Sequence, residues 1–404
     1  MHVALVHEHV SPILGSTGAK SEQPAAQLHE LASSLARAGH QVDVYTRKRE
    51  AHLENEIRTV AGYRVVNVDA GPASCTGEAD PTSYTSAFTS AVRDHWSPRK
   101  PDVAHGHSWV SSLATELAAG ALGIATVVSF HGLAAIEHPE DDGRSNSPLP
   151  RASMERTIAR SADRIIASCE KEADMLTRMG VARAKIAIVP TGVDLDDFDP
   201  AGPAAASGKA KCRVATAGSV PEVAATIETV SRIEDIELIV VDGDPPTSDD
   251  VSRLREVAAA ENMTDRIVFT GPVRHRHMST VLRSADLFVC LSPSESAGVI
   301  TLEAMACGLP VVAFDTGYAA DLVVDGVTGR LIDPRNRRLL TRELELLVRN
   351  DSRRLEMGIS GTDRARSRFS WDRIAQDTAR VYESALQVVP ARRQPIGLSC
   401  SRTG

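Results

Sequence analysis

The sequence predicts an α/β protein of two doubly wound, parallel-sheet halves with one long helix at the end. Three observations predict it. Short unbroken apolar runs alternate with helix-period segments along the chain. The alternation stops once, in a Pro-, Gly- and Asp-rich stretch at residues 190–206, and then restarts. At 404 residues the chain is long for one core, so two domains of ordinary size are expected.

Residues 3–6, Val-Ala-Leu-Val, read as a buried parallel strand by their unbroken apolarity. A polar, glycine-containing loop follows. A helix then covers residues 24–38, with Leu28, Leu31 and Leu35 at three- and four-residue spacing. Gly39 ends it, and residues 42–45 are the second strand. The right-handed crossover rule makes these two strands parallel neighbours. The pattern continues with a strand at 63–68, a helix at 84–96, a strand at 101–105 leading to Gly106-His107, a helix at 111–119, and a strand at 126–130 ending at His131-Gly132. Residues 137–150 are polar and read as a long loop, a candidate lid or acceptor loop. A helix at 152–160, a strand at 164–167, a helix at 170–179 and a strand at 186–189 complete the first half. The second half has strands at 213–217, 237–241, 267–270, 287–291, 311–314 and 330–332. A helix at 371–388 is long enough to cross back to the first half. The expected division is a first domain at 1–195, a linker at 196–210, a second domain at 211–370, a crossover helix at 371–390 and a disordered tail at 391–404.

Composition narrows the function. The net charge of −8 argues against broad nucleic-acid affinity. The six cysteines are scattered without a Cys-x-x-Cys pair, so neither a disulfide framework nor a zinc site is expected. No apolar run has transmembrane length, and residues 3–6 are too short for a signal-peptide core; a cytoplasmic protein is expected. The oligomeric state stays open, a homodimer among the options.

The chemistry concentrates at residues 294–313, SESAGVITLEAMACGLPVVA. An apolar strand precedes the segment, and residues 299–307 are helix-forming, with Gly308 as C-cap and Pro310 as stop. Glu295 then sits in the loop before the helix, Gly298 and Val299 in its first turn, and Glu303 about a turn deeper. Free amides at a helix start favour phosphate, a carboxylate accepts two hydroxyl hydrogen bonds, and Gly298 permits close approach. That combination suits a sugar nucleotide. His131 follows a strand directly and should face the cleft. His105 and His107, two apart after a strand, also raise a metal reading.

The run from Pro293-Ser294-Glu295 through Glu303 to Gly308-Leu309-Pro310-Val311-Val312-Ala313 resembles the signature of retaining glycosyltransferases of family four. Further landmarks occur in the family's order: residues 39–44, 101–107, Phe130-His131, 189–194, 268–273 and 325–329. The chain is most similar to the bacterial sucrose- and inositol-phosphate-type transferases. The resemblance implies the GT-B fold, two Rossmann-like domains facing a cleft with a C-terminal helix crossing back. It implies a nucleotide-sugar donor, an acceptor of unidentified class (small molecule, glycan or lipid), and no metal or other cofactor. Carried over, Glu295 holds donor-sugar hydroxyls, Glu303 the nucleotide ribose, the Gly298 and Val299 amides the phosphate, the backbone at Gly271-Pro272-Val273 the base, and His131 the donor sugar. Gly218 keeps the glycine of a phosphate loop.

Four departures accompany the resemblance. Ala297 stands where the family usually has Phe. Ser219 and Val223 occupy the positions of an Arg and a Lys that grip the donor pyrophosphate. Glu22-Gln23 replaces paired glycines of a first-domain phosphate loop, and Gly317-Tyr318 replaces a Gly-Gly. Losing two hydrogen bonds to a charged group costs about 3–6 kcal/mol, roughly a hundred- to ten-thousand-fold in rate. Arg274, Arg276 and His277 are candidate replacements. The alternative reading is a catalytically weak or inactive scaffold that binds a partner.

Overall fold

The computed structural model describes residues 1–13, 19–71, 83–137, 151–205, 210–242, 248–292 and 295–392. Residues 138–150 of the expected loop at 137–150 and most of the expected tail, residues 393–404, lie outside these. The first sheet holds β1 (His2–Val6), β2 (Gln41–Arg47), β3 (Glu56–Arg58), β4 (Arg64–Val68), β5 (Val103–His107), β6 (Ala125–Ser129), β7 (Arg164–Ala167) and β8 (Ile186–Ile188). The second holds β9 (Cys212–Thr216), β10 (Ile236–Asp242), β11 (Ile267–Pro272), β12 (Leu287–Cys290), β13 (Val311–Phe314) and β14 (Gly329–Ile332). Strand order is β3-β4-β2-β1-β5-β6-β7-β8 in one and β11-β10-β9-β12-β13-β14 in the other. Every pairing is parallel except β3 with β4.

The apolar runs form strands because helices cover both faces of each sheet. Val3, Leu5, Val42 and Val44 pack under Leu28, Leu31 and Leu35 of the helix Ala19–Arg37. On the opposite face, Ala4, Val6, Tyr45 and Ala104 meet Phe88, Val92 and Trp96. The helix Trp371–Arg392 returns from the second domain and enters the first core through Trp371, Ile374, Ala375, Tyr382 and Ala385. Its start is pinned where Val193 bridges to Ser370 and donates its N–H to the Phe369 carbonyl at 2.9 Å. The segment after Val193 is packed on the second domain: Phe198 lies in that core, and Arg283 donates to the carbonyls of Asp197 and Asp199. Among the described residues, no helix is long and apolar enough to cross a membrane.

Four local expectations change. The edge strand β3 is three polar-flanked residues, too short for a period-2 signal. The first helix begins at Ala19, with Pro24 inside it, so Glu22-Gln23 is helical and not a phosphate loop. His105 and His107 lie within β5, both buried, and do not follow it. The signature helix begins at Glu295, so that residue opens the helix instead of preceding it.

Gly192 is where the return helix meets the linker. A Cβ there would stand 2.5 Å from the Trp371 indole. Gly192→Ala is expected to lose about 1–3 kcal/mol of stability, measured by urea unfolding, because the ring is fixed in the core. An unchanged midpoint would show that Trp371 moves freely.

Candidate active site

An open parallel sheet leaves a crevice where its strand order reverses. In the first sheet the reversal lies between β1 and β5, and in the second between β9 and β12. The first crevice is lined with imidazoles. His7 follows β1, His105 and His107 close β5, and His131 follows β6. His107 Nδ1 and His131 Nε2 share a hydrogen bond of 2.9 Å, and their rings stack. His105 is held on both sides, by Tyr382 Oη at 2.8 Å and Ser129 Oγ at 2.9 Å. His131 has a φ of 53°, an uncommon left-handed conformation that turns the chain at the strand end. Burial, with His131 beside it, holds His7 down at about 3, and the same two causes hold His105 at about 3. Burial also pulls His107 well below the ordinary histidine value. These three rings are therefore neutral near pH 7. Nδ1 of His7 and Nε2 of His107 have no hydrogen-bond partner among the described residues.

The second crevice has a different character. Gly218 follows β9, and Ser219 caps the helix Val220–Val230 in a capping box with Glu222. Glu222 Oε2 accepts the Ser219 N–H at 2.7 Å and its hydroxyl at 2.8 Å. A carboxylate thus occupies the amide that a phosphate would use. Val223 is buried in the core with Ile227 and Val230, so its position does not face the cleft. Glu222 instead closes back on Ser219 and lines neither cavity. In the helix Glu295–Ala306, Gly298 is covered by Tyr318: a Cβ on Gly298 would meet the Tyr318 Cβ at 2.4 Å. The replacement of a glycine by Tyr318 and the retention of Gly298 are one packing event.

Glu303 is buried, and its Oε1 meets His275 Nε2 at 2.8 Å. Its Oε2 is buried without a partner among the described residues. His275 opens the helix His275–Leu282, and its N–H donates to Glu22 Oε2 at 3.0 Å, across the domain boundary. The Phe198 ring lies 5.5 Å from the imidazole. Burial alone would lower His275, but Glu303 and then Asp197 and Asp194 outweigh it, and the ring holds its proton above the ordinary value of 6.5. Burial also raises Glu303, with His275 opposing.

Two cavities of about 320 Å³ each lie between the domains. One brings His131, His107 and His7 to Val299. The other brings Glu303 and His275 to Glu22, Asp194 and Phe198. Val299 and Trp371 line both. Of the residues expected from sequence, His131, Val299 and Glu303 therefore converge on this paired space. Gly218 and Val273 line neither cavity; Val273 packs on the second core. The Glu295 side chain lies outside the described residues. Arg274, Arg276 and His277 are exposed and line neither cavity. The residue between them, His275, is the one that enters the site. Sequence reading passed over it, as it did Trp371; the only signal for His275 was its place two residues after the expected base-contacting backbone.

Both His275 and Glu303 hold protons to higher pH in the fold. Their stabilisation is complete below their unfolded values and is lost as pH rises through the folded ones. Unfolding free energy should fall between pH 5.5 and 8.5 more in the native chain than in Glu303→Gln. Equal pH slopes in urea titrations would contradict the coupling.

Comparison with known proteins gives two family matches: Glycosyltransferase Family 4 over residues 25–197 and Glycosyl transferases group 1 over residues 220–364. A D-inositol 3-phosphate glycosyltransferase of Xylanimonas cellulosilytica is 30% identical over 96% of this chain and 98% of its own. That of Streptomyces coelicolor is 30% identical over 95% and 92%. Among solved structures, sucrose-phosphate synthase from Thermosynechococcus elongatus superposes with a TM-score of 0.80 at 22% identity, over 96% of this chain and 99% of its own. Anabaena HepE in complex with UDP and glucose gives 0.69 at 18%, over 95% and 99%. These likenesses show the shared fold.

Proposed function

The chain belongs to glycosyltransferase family 4 and is a GT-B glycosyltransferase, and on that premise we propose a retaining transfer from a nucleotide sugar to an acceptor hydroxyl. The second domain holds the donor and the first holds the acceptor. What supports this is the Glu303 carboxylate. One oxygen is fixed by His275, and the other is buried at a cavity wall and lacks a partner among the described residues. A buried carboxylate oxygen without a donor costs about 1–3 kcal/mol, which a ribose hydroxyl would recover.

In this reading the Gly298 and Val299 amides meet the donor phosphate, the backbone at Val273 meets the base, and Gly218 keeps its loop open. Glu295 and His131 orient the sugar. The bond from the anomeric carbon to the phosphate oxygen breaks as the acceptor oxygen bonds to the same face. The acceptor proton passes to the departing phosphate oxygen. No metal cofactor takes part. The HepE complex with UDP makes UDP the first nucleotide to test. The buried free cysteines support a reducing, cytoplasmic setting.

A second reading, a weak or inactive scaffold, draws on Glu222 and Tyr318. Both cover positions a pyrophosphate would use, and no Arg or Lys lines either cavity among the described residues.

Calorimetric titration with UDP, GDP and ADP separates the two. The transferase reading expects micromolar binding of one nucleotide, lost in Glu303→Ala, with hydrolysis of the matching nucleotide sugar. No binding at millimolar concentration would favour the scaffold. Glu222→Gln removes a charge from the Ser219 amide at the start of the helix Val220–Val230 and should tighten the binding of that diphosphate by about 1 kcal/mol, roughly fivefold. Weaker binding would place the phosphate elsewhere.

A further inference from the structure

Given the transferase reading, on which its role as acceptor rests, we infer that the cavity beside His131 takes an uncharged, largely apolar alcohol and not a phosphorylated polyol. Its body is made by Leu28 and Leu31 of the helix Ala19–Arg37, Ile166 of β7, Val189 after β8, and Trp371 and Ile374 of the return helix. Its polar lining is the imidazoles with Ser129 and Ser168, joined by Gln23, Gln27, Thr191 and Thr378. Val299, near the start of the helix that carries Glu303, shares the wall.

A phosphate is recognised by Arg, by Lys or by free helix amides. No Arg or Lys lines this cavity among the described residues. The cation bonded beside His131 is Arg151, and it is committed. Its Nε donates to buried Glu155 at 2.7 Å and its guanidinium to the Gly132 carbonyl at 2.7 Å. Three of the imidazoles do not replace a cation, because burial, with His131 beside them, keeps His7, His105 and His107 neutral. A neutral imidazole offers one N–H and one lone pair, which suits a hydroxyl. His107 is 4% exposed, and its Nε2 lacks a partner among the described residues. An alcohol whose oxygen reaches His107 can place its carbon skeleton along the leucines and Trp371. A phosphate there would be a buried charge without a counter-ion, which costs several kcal/mol.

The test uses a matched pair of fluorescent probes, 2-naphthol and 2-naphthyl phosphate, titrated against the whole chain near pH 7. One molecule of 2-naphthol should bind per chain, at least about tenfold tighter than the phosphate. Val10→Trp, at a half-buried position of the wall, should abolish binding, with thermal unfolding checking its fold. His107→Phe should keep apolar binding but lose the preference for 2-naphthol over naphthalene. Leu355→Ser, on an exposed apolar position, should change nothing. Phosphate binding as tight as naphthol, or naphthol binding unmoved by both cavity variants, would overturn the assignment. Failure of the transferase reading shows separately: naphthol bound, but no nucleotide bound and no naphthyl glycoside formed with any sugar nucleotide. That result removes the acceptor role.

Discussion

Parallel strands deliver all their carboxyl ends to one edge of a sheet, and the two sheets of this chain turn those edges towards a common space. Everything chemical follows from that constraint. Each sheet reverses its strand order once, so each opens one crevice. The end of β5 and the residues just past β1 and β6 bring imidazoles to the first crevice, and those past β9 and β12 bring a capped helix and the Glu303 helix to the second. The return helix then closes the space from below, with Trp371 in the walls of both cavities. The two cavities are thus neighbours, with Trp371 and Val299 in the walls of both.

The second crevice shows how a helix start is satisfied without an anion. A helix start needs partners for its free amides. An anion can supply them, and so can a capping box. Ser219 and Glu222 take the second route at the helix Val220–Val230. Tyr318 likewise fills the volume over Gly298, where a side chain on that glycine could not fit. Each change satisfies the protein locally and removes an attraction for a dianion. The stability of the fold therefore says little about the strength of the phosphate grip, and the two properties must be measured separately.

The fold was largely legible in the sequence because short unbroken apolar runs and helix-period segments survive tertiary packing. The crossover rule made β1 and β2 parallel neighbours, as they are. β3 was not, since three residues carry no period, and the first helix was cut at Pro24 because a proline reads as a start. The site was legible where a backbone motif fixes it: His131 after a strand, Val299 and Glu303 on one helix. It was illegible where two distant segments meet. Nothing local in Arg274-His275-Arg276-His277 says that the second of the four turns inward to Glu303, while the other three stay exposed. Val223 was assigned by counting along a loop, but helical phase buries it, and Glu222 closes back on Ser219.

The meeting of Glu22, His275 and Glu303 ties the two domains to one carboxylate. Glu22 belongs to the first domain and accepts the backbone N–H of His275. His275 belongs to the second and holds one oxygen of Glu303. The orientation of the other oxygen is therefore set partly by a group from across the cleft. A 3.0 Å hydrogen bond does not survive a shift of even an ångström or two in domain spacing. Glu22 thus adds, from the first domain, a restraint on the ring that holds Glu303 in the second.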